Sequence, residues 1–350
     1  MTNKNKLRKA AIFTDIHFGR KSNSDQHNQD CINFLSWFCE QVKQDPEIDH
    51  VVFMGDWHEN RSALNISTLR YSYQGATMLS ELGIPIFFEV GNHDLYYRHT
   101  REIHSLLHFA SLPNFRLIEE PTVCEDTHKK TLFCPYLFHH EYPELARHIK
   151  VPVWFGHFEF QGFVITGYNT IMPTGPNSAD FKGPKHIFSG HFHKRQAFEN
   201  VVYVGNAFPM DFSDAGDNAR GMTTYDYVND EVEFFDWENC PKYIKTNLST
   251  LANGSTELLN EARVKCVADV SLTYEEVNVI RQTFMEKYKL RELIIEDSEE
   301  IANVISGTEV DVDDTEITSV HDLMLQLLSS IETDHINNEM LIDIYKSLKV

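Results

Sequence analysis

Up to about residue 239 the chain reads as short apolar runs separated by helical patterns and turn residues, the signature of an α/β layer architecture. Residues 10–13, 50–54, 85–90, 152–155 and 186–188 are apolar runs of strand length. Between the early runs, Cys31, Phe34, Leu35, Phe38 and Val42 recur at helical spacing, as do Leu69, Tyr73, Ala76 and Leu79. Later, 201–204, 221–227 and 231–237 read as sheet, the last two joined as a hairpin across Asn229 and Asp230. This pattern predicts a first domain over residues 1–240.

A stretch rich in Asn, Ser, Thr and Gly (247–260) is followed by strand (263–270), helix (273–288) and strand (290–296), which predicts a small α/β domain over 241–297. Residues 298–318 carry little that packs and read as an acidic linker. In the last stretch, 319–350, Val320, Leu323, Met324, Leu327, Leu328 and Ile331 lay one apolar stripe on a helix. Ile336, Met340, Leu341, Ile344, Tyr345 and Leu348 lay a second, which predicts a C-terminal helical hairpin. Its stripes either bury each other or, on a leash, are offered to a partner.

Charge sharpens that division. The 350 residues hold 52 acidic side chains against 31 Lys plus Arg, a formal net charge of −21. From Glu292 to Tyr345 there are fifteen acidic residues and no Lys or Arg, so the acidity is local and the rest of the chain is only mildly negative. Asp311, Asp313, Asp314 and Glu316 lack the glycine and closing glutamate of a calcium loop, which leaves the linker reading in place. No apolar run approaches the roughly 18 residues of a membrane span. The basic N-terminus is not followed by the apolar region of a secretory signal, so a cytoplasmic location with no membrane is expected. Six cysteines without a C-x-x-C pair are expected as buried thiols.

The chemistry lies in the loops. Asp15-Ile16-His17, Gly55-Asp56-Trp57-His58, Gly91-Asn92-His93-Asp94, Gly156-His157 and Gly190-His191-Phe192-His193 each follow an expected strand. Strand ends are where α/β folds place their sites. Carboxylate and amide oxygens with imidazole nitrogens, and no thiolate, suit borderline to hard divalent ions. Asp-x-His and His-x-His put two ligands on one side of an extended loop. Any one motif alone is as well read as a turn with a structural histidine; five in series at strand ends are not.

In combination these motifs resemble the calcineurin-like metallophosphoesterase superfamily, whose members include phosphatases, cyclic-nucleotide phosphodiesterases, nucleotidases and nucleases. Gly156-His157-Phe158-Glu159, Tyr203-Val204-Gly205-Asn206-Ala207 and Arg220-Gly221 at a hairpin are similar to the SbcD-type repair nucleases and their T-even-phage recombination endonuclease relatives. The resemblance implies a metallophosphoesterase β-sandwich flanked by helices. Two divalent metal ions per chain are implied, manganese favoured and magnesium the alternative. One would be held by Asp15, His17 and His193, the other by Asn92, His157 and His191, with Asp56 bridging. It further implies His93 beside the reacting phosphate, oriented by Asp94. Where the family often has a further histidine three residues after the bridging aspartate, this chain has Glu59, and His58 is the candidate substitute.

The implied activity is a DNA exonuclease and endonuclease of recombination or double-strand break repair. The small domain occupies the place of the family's DNA-capping domain. The hairpin would dock on an SbcC-type coiled-coil ATPase, with Met324 and Leu328 among its anchors. DNA phosphates would meet basic or aromatic side chains near the motifs: Arg61, Tyr97, Arg98, Lys194 and Arg195, with Arg70, Tyr96, Arg101, Lys182 and Lys185 as further candidates. A homodimer is implied through helices over 67–82 and 101–109, with Leu69, Ala76, Leu79, Leu106, Leu107 and Phe109 as the apolar positions, which periodicity alone reads equally well as core. The rival readings are a phosphatase or small-molecule phosphodiesterase of the same fold, and a non-catalytic scaffold, whose hallmark would be lost ligands.

Overall fold

The computed structural model describes residues 6–165, 170–254, 260–270 and 272–297. The expected linker and C-terminal hairpin, Met324 and Leu328 included, lie outside the described residues. In chain order, β1 (Lys9–Phe13) leads through a four-residue turn, α1 (Arg20–Asn23), into the long helix α2 (Asp25–Gln44). Then come β2 (His50–Phe53), α3 (Ile66–Ser80), β3 (Ile86–Glu89) and β4 (Phe115–Ile118). The strands β5 (Thr122–Cys124), β6 (Thr131–Cys134) and β7 (Val153–Gly156) precede a two-residue ribbon, β8 (Val164–Ile165) with β9 (Thr170–Ile171). They are followed by β10 (His186–Ser189), β11 (Gln196–Phe198), β12 (Val201–Tyr203), β13 (Gly221–Asp226) and β14 (Glu231–Asp236).

These strands form two six-stranded sheets, ordered β14-β13-β1-β2-β3-β4 and β11-β12-β10-β7-β6-β5. Alternation in each strand sorts its side chains between layers. Ala10, Ile12, Val52 and Phe87 face inward onto Phe133, Val153, Phe155 and Phe188 of the other sheet. The Phe87 and Phe133 rings stack there with centroids 3.9 Å apart. Ala11, Phe13, Val51, Phe53 and Phe88 face outward and are covered by Cys31, Phe34, Leu35 and Phe38 of α2 with Ala76 and Leu79 of α3. Each fully buried Phe or Leu contributes about 1.5–3 kcal/mol relative to an exposed one. The architecture is therefore a sandwich flanked by helices, and all six cysteines are buried free thiols. No helix among the described residues is long and apolar enough to cross a membrane.

A third, three-stranded sheet, β15-β16-β17, is built from β15 (Tyr243–Asn247), β16 (Arg263–Ala268) and β17 (Glu292–Asp297). Between them run α4 (Leu248–Ala252) and α5 (Tyr274–Tyr288). Helix α4 lies within the Asn-, Ser-, Thr- and Gly-rich stretch 247–260, and β15, which ends at Asn247, is not among the expected strands. Charge fixes this small domain to α2: Arg291 grips both oxygens of the buried Asp30 at 2.7 Å, and Arg263 donates to Gln26 at 2.7 Å.

The expected dimer surface needs correction. Ala76, Leu79, Leu106 and Phe109 are core residues, because they close the outer face of the first sheet. Residues 101–109 do not form a helix; only a short 3-10 turn, Leu107–Ser111, is present. Leu69 and Leu107 remain exposed, together with Ile66, Tyr73 and Ile103.

Candidate active site

Strands β1, β2 and β3 are parallel in one sheet, and β7 and β10 are parallel in the other, so all five motifs emerge at one edge of the sandwich. A backbone ladder registers the first two loops: Asp15 N–H donates to Gly55 O, His17 N–H to Asp56 O, Phe18 N–H to Trp57 O and Glu59 N–H to Phe18 O. The sheets are tied across the edge by His191 N–H, which donates to Asp15 Oδ2 at 3.0 Å.

Tight loops put the side chains in place. Asp15, His17, Asp56 and His191 all adopt left-handed dihedrals, with φ of 49°, 53°, 61° and 84°. Such conformations cost on the order of 1–3 kcal/mol for non-glycine residues and cluster at functional sites. Glycine is required beside them because a Cβ on Gly91 would sit 2.2 Å from Asp56 Oδ1, and one on Gly190 2.2 Å from Thr14 Oγ1.

Two donor groups result. In the first, His17 Nε2 lies 3.1 Å from His193 Nε2 and 3.8 Å from both Asp15 Oδ1 and Asp56 Oδ2. In the second, His157 Nε2 and His191 Nδ1 stand 2.9 and 3.0 Å from Asn92 Oδ1, and His157 Nε2 is 3.4 Å from the same Asp56 Oδ2. His157 Nδ1 donates to Met54 O at 2.7 Å, which fixes the tautomer and turns the Nε2 lone pair into the cluster. Asp56 Oδ1 accepts from His93 N–H at 2.8 Å, leaving Oδ2 between the groups.

Fields at the site are strong. Burial opposes charge on Asp15, but the nearby His17 imidazole and the neighbouring histidines outweigh that and hold its carboxyl down to about 2; Asp56 is also held well below the usual range, chiefly by His157. Against burial, Asp15, Glu59 and Asp56 lift His17 to about 10, and Asp56 lifts His157 to about 9. Burial pushes His191 down to about 3 and His193 to about 4. Three carboxylates thus draw protons onto two imidazoles whose inward nitrogens face other donors, positions that cations would fill. Asp15 Oδ1 is buried without a hydrogen-bond partner, and two imidazole Nε2 atoms converge at 3.1 Å, so this donor set fits divalent cations.

Two expectations change at residue level. Asp94 does not orient His93: its carboxylate accepts from the backbone N–H groups of Asp56, Trp57, His58 and Gly91 at 2.9–3.1 Å, and so organises two loops at once. His93 is instead aligned by its Nδ1, which donates to Glu59 O at 2.9 Å. His58 stands in neither donor group: its ring nitrogens lie 2.7 Å from the Ser105 and Ser72 hydroxyls, a setting that ties it to α3 and the 105 loop.

Among the basic candidates, Arg101 binds Glu141 through both terminal nitrogens and serves structure. Lys185 pairs with Asp230 and precedes β10, at the edge opposite the motifs. Lys182 lies 3.6 Å from Glu199. Arg195 pairs with Asp236 at 2.7 Å and stacks on Phe234, while Arg98 and Tyr97 are exposed. Sequence reasoning missed Lys245 and Lys265, register partners on β15 and β16 that line a cleft of about 610 Å³ with Arg20, His191 and His193. It also passed over Glu59 as a functional side chain, although its departure from the family pattern was the signal.

Exonuclease subunit 1 of Enterobacteria phage T4 is 28% identical over 186 residues, covering 51% of this chain and 53% of that protein, so the chain spans about half the length of the relative it matches. A dimetal phosphatase from Danio rerio superposes with TM-score 0.39 at 8% identity, over 63% of this chain and 93% of that one. A novel archaeal phosphodiesterase gives 0.37 at 12%, over 65% and 99%. The family profile described as calcineurin-like phosphoesterase matches residues 8–195, more than half of the chain and every candidate ligand, and the chain accordingly belongs to the calcineurin-like phosphoesterases.

Proposed function

We propose that the chain is a two-metal DNA nuclease, an exonuclease with endonuclease capability, acting in recombination or double-strand break repair. One observation carries the two-metal reading: a single oxygen, Asp56 Oδ2, lies within 3.8 Å of His17 Nε2 and 3.4 Å of His157 Nε2, between two groups of donors. Asp15, His17 and His193 would hold one cation, Asn92, His157 and His191 the other, with Asp56 shared. Divalent ions there, manganese favoured over magnesium, would supply Lewis-acid activation of water and neutralise charge on the phosphate.

The remaining steps belong to the side chains. His93, held through Nδ1, carries its other nitrogen for the phosphate or the leaving oxygen, as general acid catalysis requires. Arg61, Tyr97, Arg98, Lys194 and Arg195, joined by Lys245 and Lys265, are the candidates for backbone phosphates. DNA as substrate rests on the likeness to the phage exonuclease subunit, which spans half of each chain.

The same reading assigns 1–240 to the nuclease domain, 241–297 to a DNA cap, 298–318 to a linker and 319–350 to an SbcC-type ATPase through Met324 and Leu328. A homodimer is supported by exposed Ile66, Leu69, Tyr73, Ile103 and Leu107. End-labelled duplex and hairpin DNA incubated with manganese, and then with chelator, tests the activity. Metal-dependent cutting is expected; hydrolysis of p-nitrophenyl phosphate with DNA left intact would assign the site to a phosphatase instead.

A further inference from the structure

Glu59 stands where the family pattern often has histidine, and its surroundings give it work at the site. The backbone ladder that registers residues 15–18 against 55–59 ends in the bond from Glu59 N–H to Phe18 O, which sets the residue directly beside His17. Its Oε2 lies 2.8 Å from His17 Nδ1, an ion-pair contact rather than an aligned hydrogen bond, on the side of the ring away from Asp15, Asp56 and His193. Arg20 steadies the carboxylate from behind, with one terminal nitrogen 3.3 Å from Glu59 Oε2 and the other 2.7 Å from Asp211 Oδ2. Arg20 and Glu59 are each mostly shielded from solvent, with side-chain exposures of 21% and 27%. The main chain of Glu59 has a second task, since its carbonyl receives His93 Nδ1–H at 2.9 Å.

We propose that Glu59 is a positioning residue that joins one cation site to the group facing the phosphate. Its carboxylate keeps a proton on His17 Nδ1 and directs the Nε2 lone pair at the first cation, while its carbonyl fixes His93. A carboxylate behind a ligating imidazole raises the ring's donor strength and locks its orientation, and loss of such a partner typically costs 10- to 100-fold in metal affinity. The contact reaches the first donor group and not the second, whose His157 is oriented by Met54 O. Glu59 therefore acts selectively on one of two ions.

The inference rests on the two-metal reading, and the experiment separates the two. Manganese binding to the full chain is followed by calorimetry and by electron paramagnetic resonance for the parent, Glu59→Gln and Glu59→Asp, with thermal unfolding in chelator recorded for each. Two ions on the parent, with one weakened about 10- to 100-fold and the other unchanged in Glu59→Gln, partial recovery in Glu59→Asp and equal unfolding temperatures in chelator, is the expected result. Parental affinity for both ions in Glu59→Gln overturns the role of Glu59 while leaving two metals standing. Equal weakening of both ions with a lowered unfolding temperature reduces Glu59 to a structural residue and also overturns the proposal. A parent that binds fewer than two ions refutes the underlying reading itself.

Discussion

At the scale of single residues, neighbours in sequence carry separable tasks. His93→Ala removes an imidazole that ligates nothing in the proposed assignment, so turnover should fall severely with metal content near the parental value; loss of one ion per chain on elemental analysis would make His93 a ligand. Asp94→Asn should behave differently. An amide offers one acceptor oxygen in place of the two that now serve four backbone N–H groups, and unsatisfied donors cost about 1–3 kcal/mol. The expected signature is a lower denaturation midpoint in chelator as well as lost activity, and an unchanged midpoint would contradict the scaffold role. His50 gives a titration test away from the site. Burial depresses its pKa despite the Asp49 carboxylate 2.8 Å away, so the unfolded chain binds more protons below the ordinary histidine value of about 6.5. Its contribution to stability is full above that pH and is lost as pH falls below it. Urea midpoints between pH 7.5 and 5.5 should drop less steeply in His50→Gln than in the parent.

Elements show what the sequence makes legible. All ten strand expectations correspond to observed strands, because apolar runs bounded by turns on both sides leave little alternative, and all five ligand loops follow from strand ends. β4, β5 and β6 escaped the reading: they are three or four residues long, with polar Arg116, Thr122 and Thr131 breaking their apolar character, and tertiary pairing alone makes them strands. Partners of single side chains were beyond reach as well, since Asp94 finds three of its four partners 36 to 38 positions away and His58 has its serine partners 14 and 47 positions away. One element-scale consequence is open to test at the join between α2 and the small domain. Arg291→Ala would strip the buried Asp30 of its bidentate partner, a change that costs about 3–5 kcal/mol when a buried pair is broken. Limited proteolysis should then cut within 241–297 ahead of the sandwich; an unchanged digestion pattern would show that apolar contacts hold the domain unaided.

For the whole molecule, the donors come from both sheets, so bound cations would tie one half of the sandwich to the other. A ligand that binds only the folded form stabilises it by about 2.7 kcal/mol at 100 times its dissociation constant. Manganese should therefore raise the unfolding temperature in a concentration-dependent way that chelator reverses, and Asp56→Ala, lacking the shared carboxylate, should lose most of that rise. An indifferent unfolding temperature in the parent would argue against ions at the inter-sheet edge.

The strand order also governs where this protein can be cut. β1, which carries the first ligand loop, is paired on one flank by β2 and on the other by β13, whose residues are translated some thirty positions after the last candidate ligand. A fragment ending at residue 195 would hold every proposed ligand and yet leave one rim of β1 bare. Unprotected rims of this kind recruit strands from other molecules. A minimal soluble catalytic fragment must consequently run through the β13–β14 hairpin, and shorter expression products should accumulate as inclusion bodies.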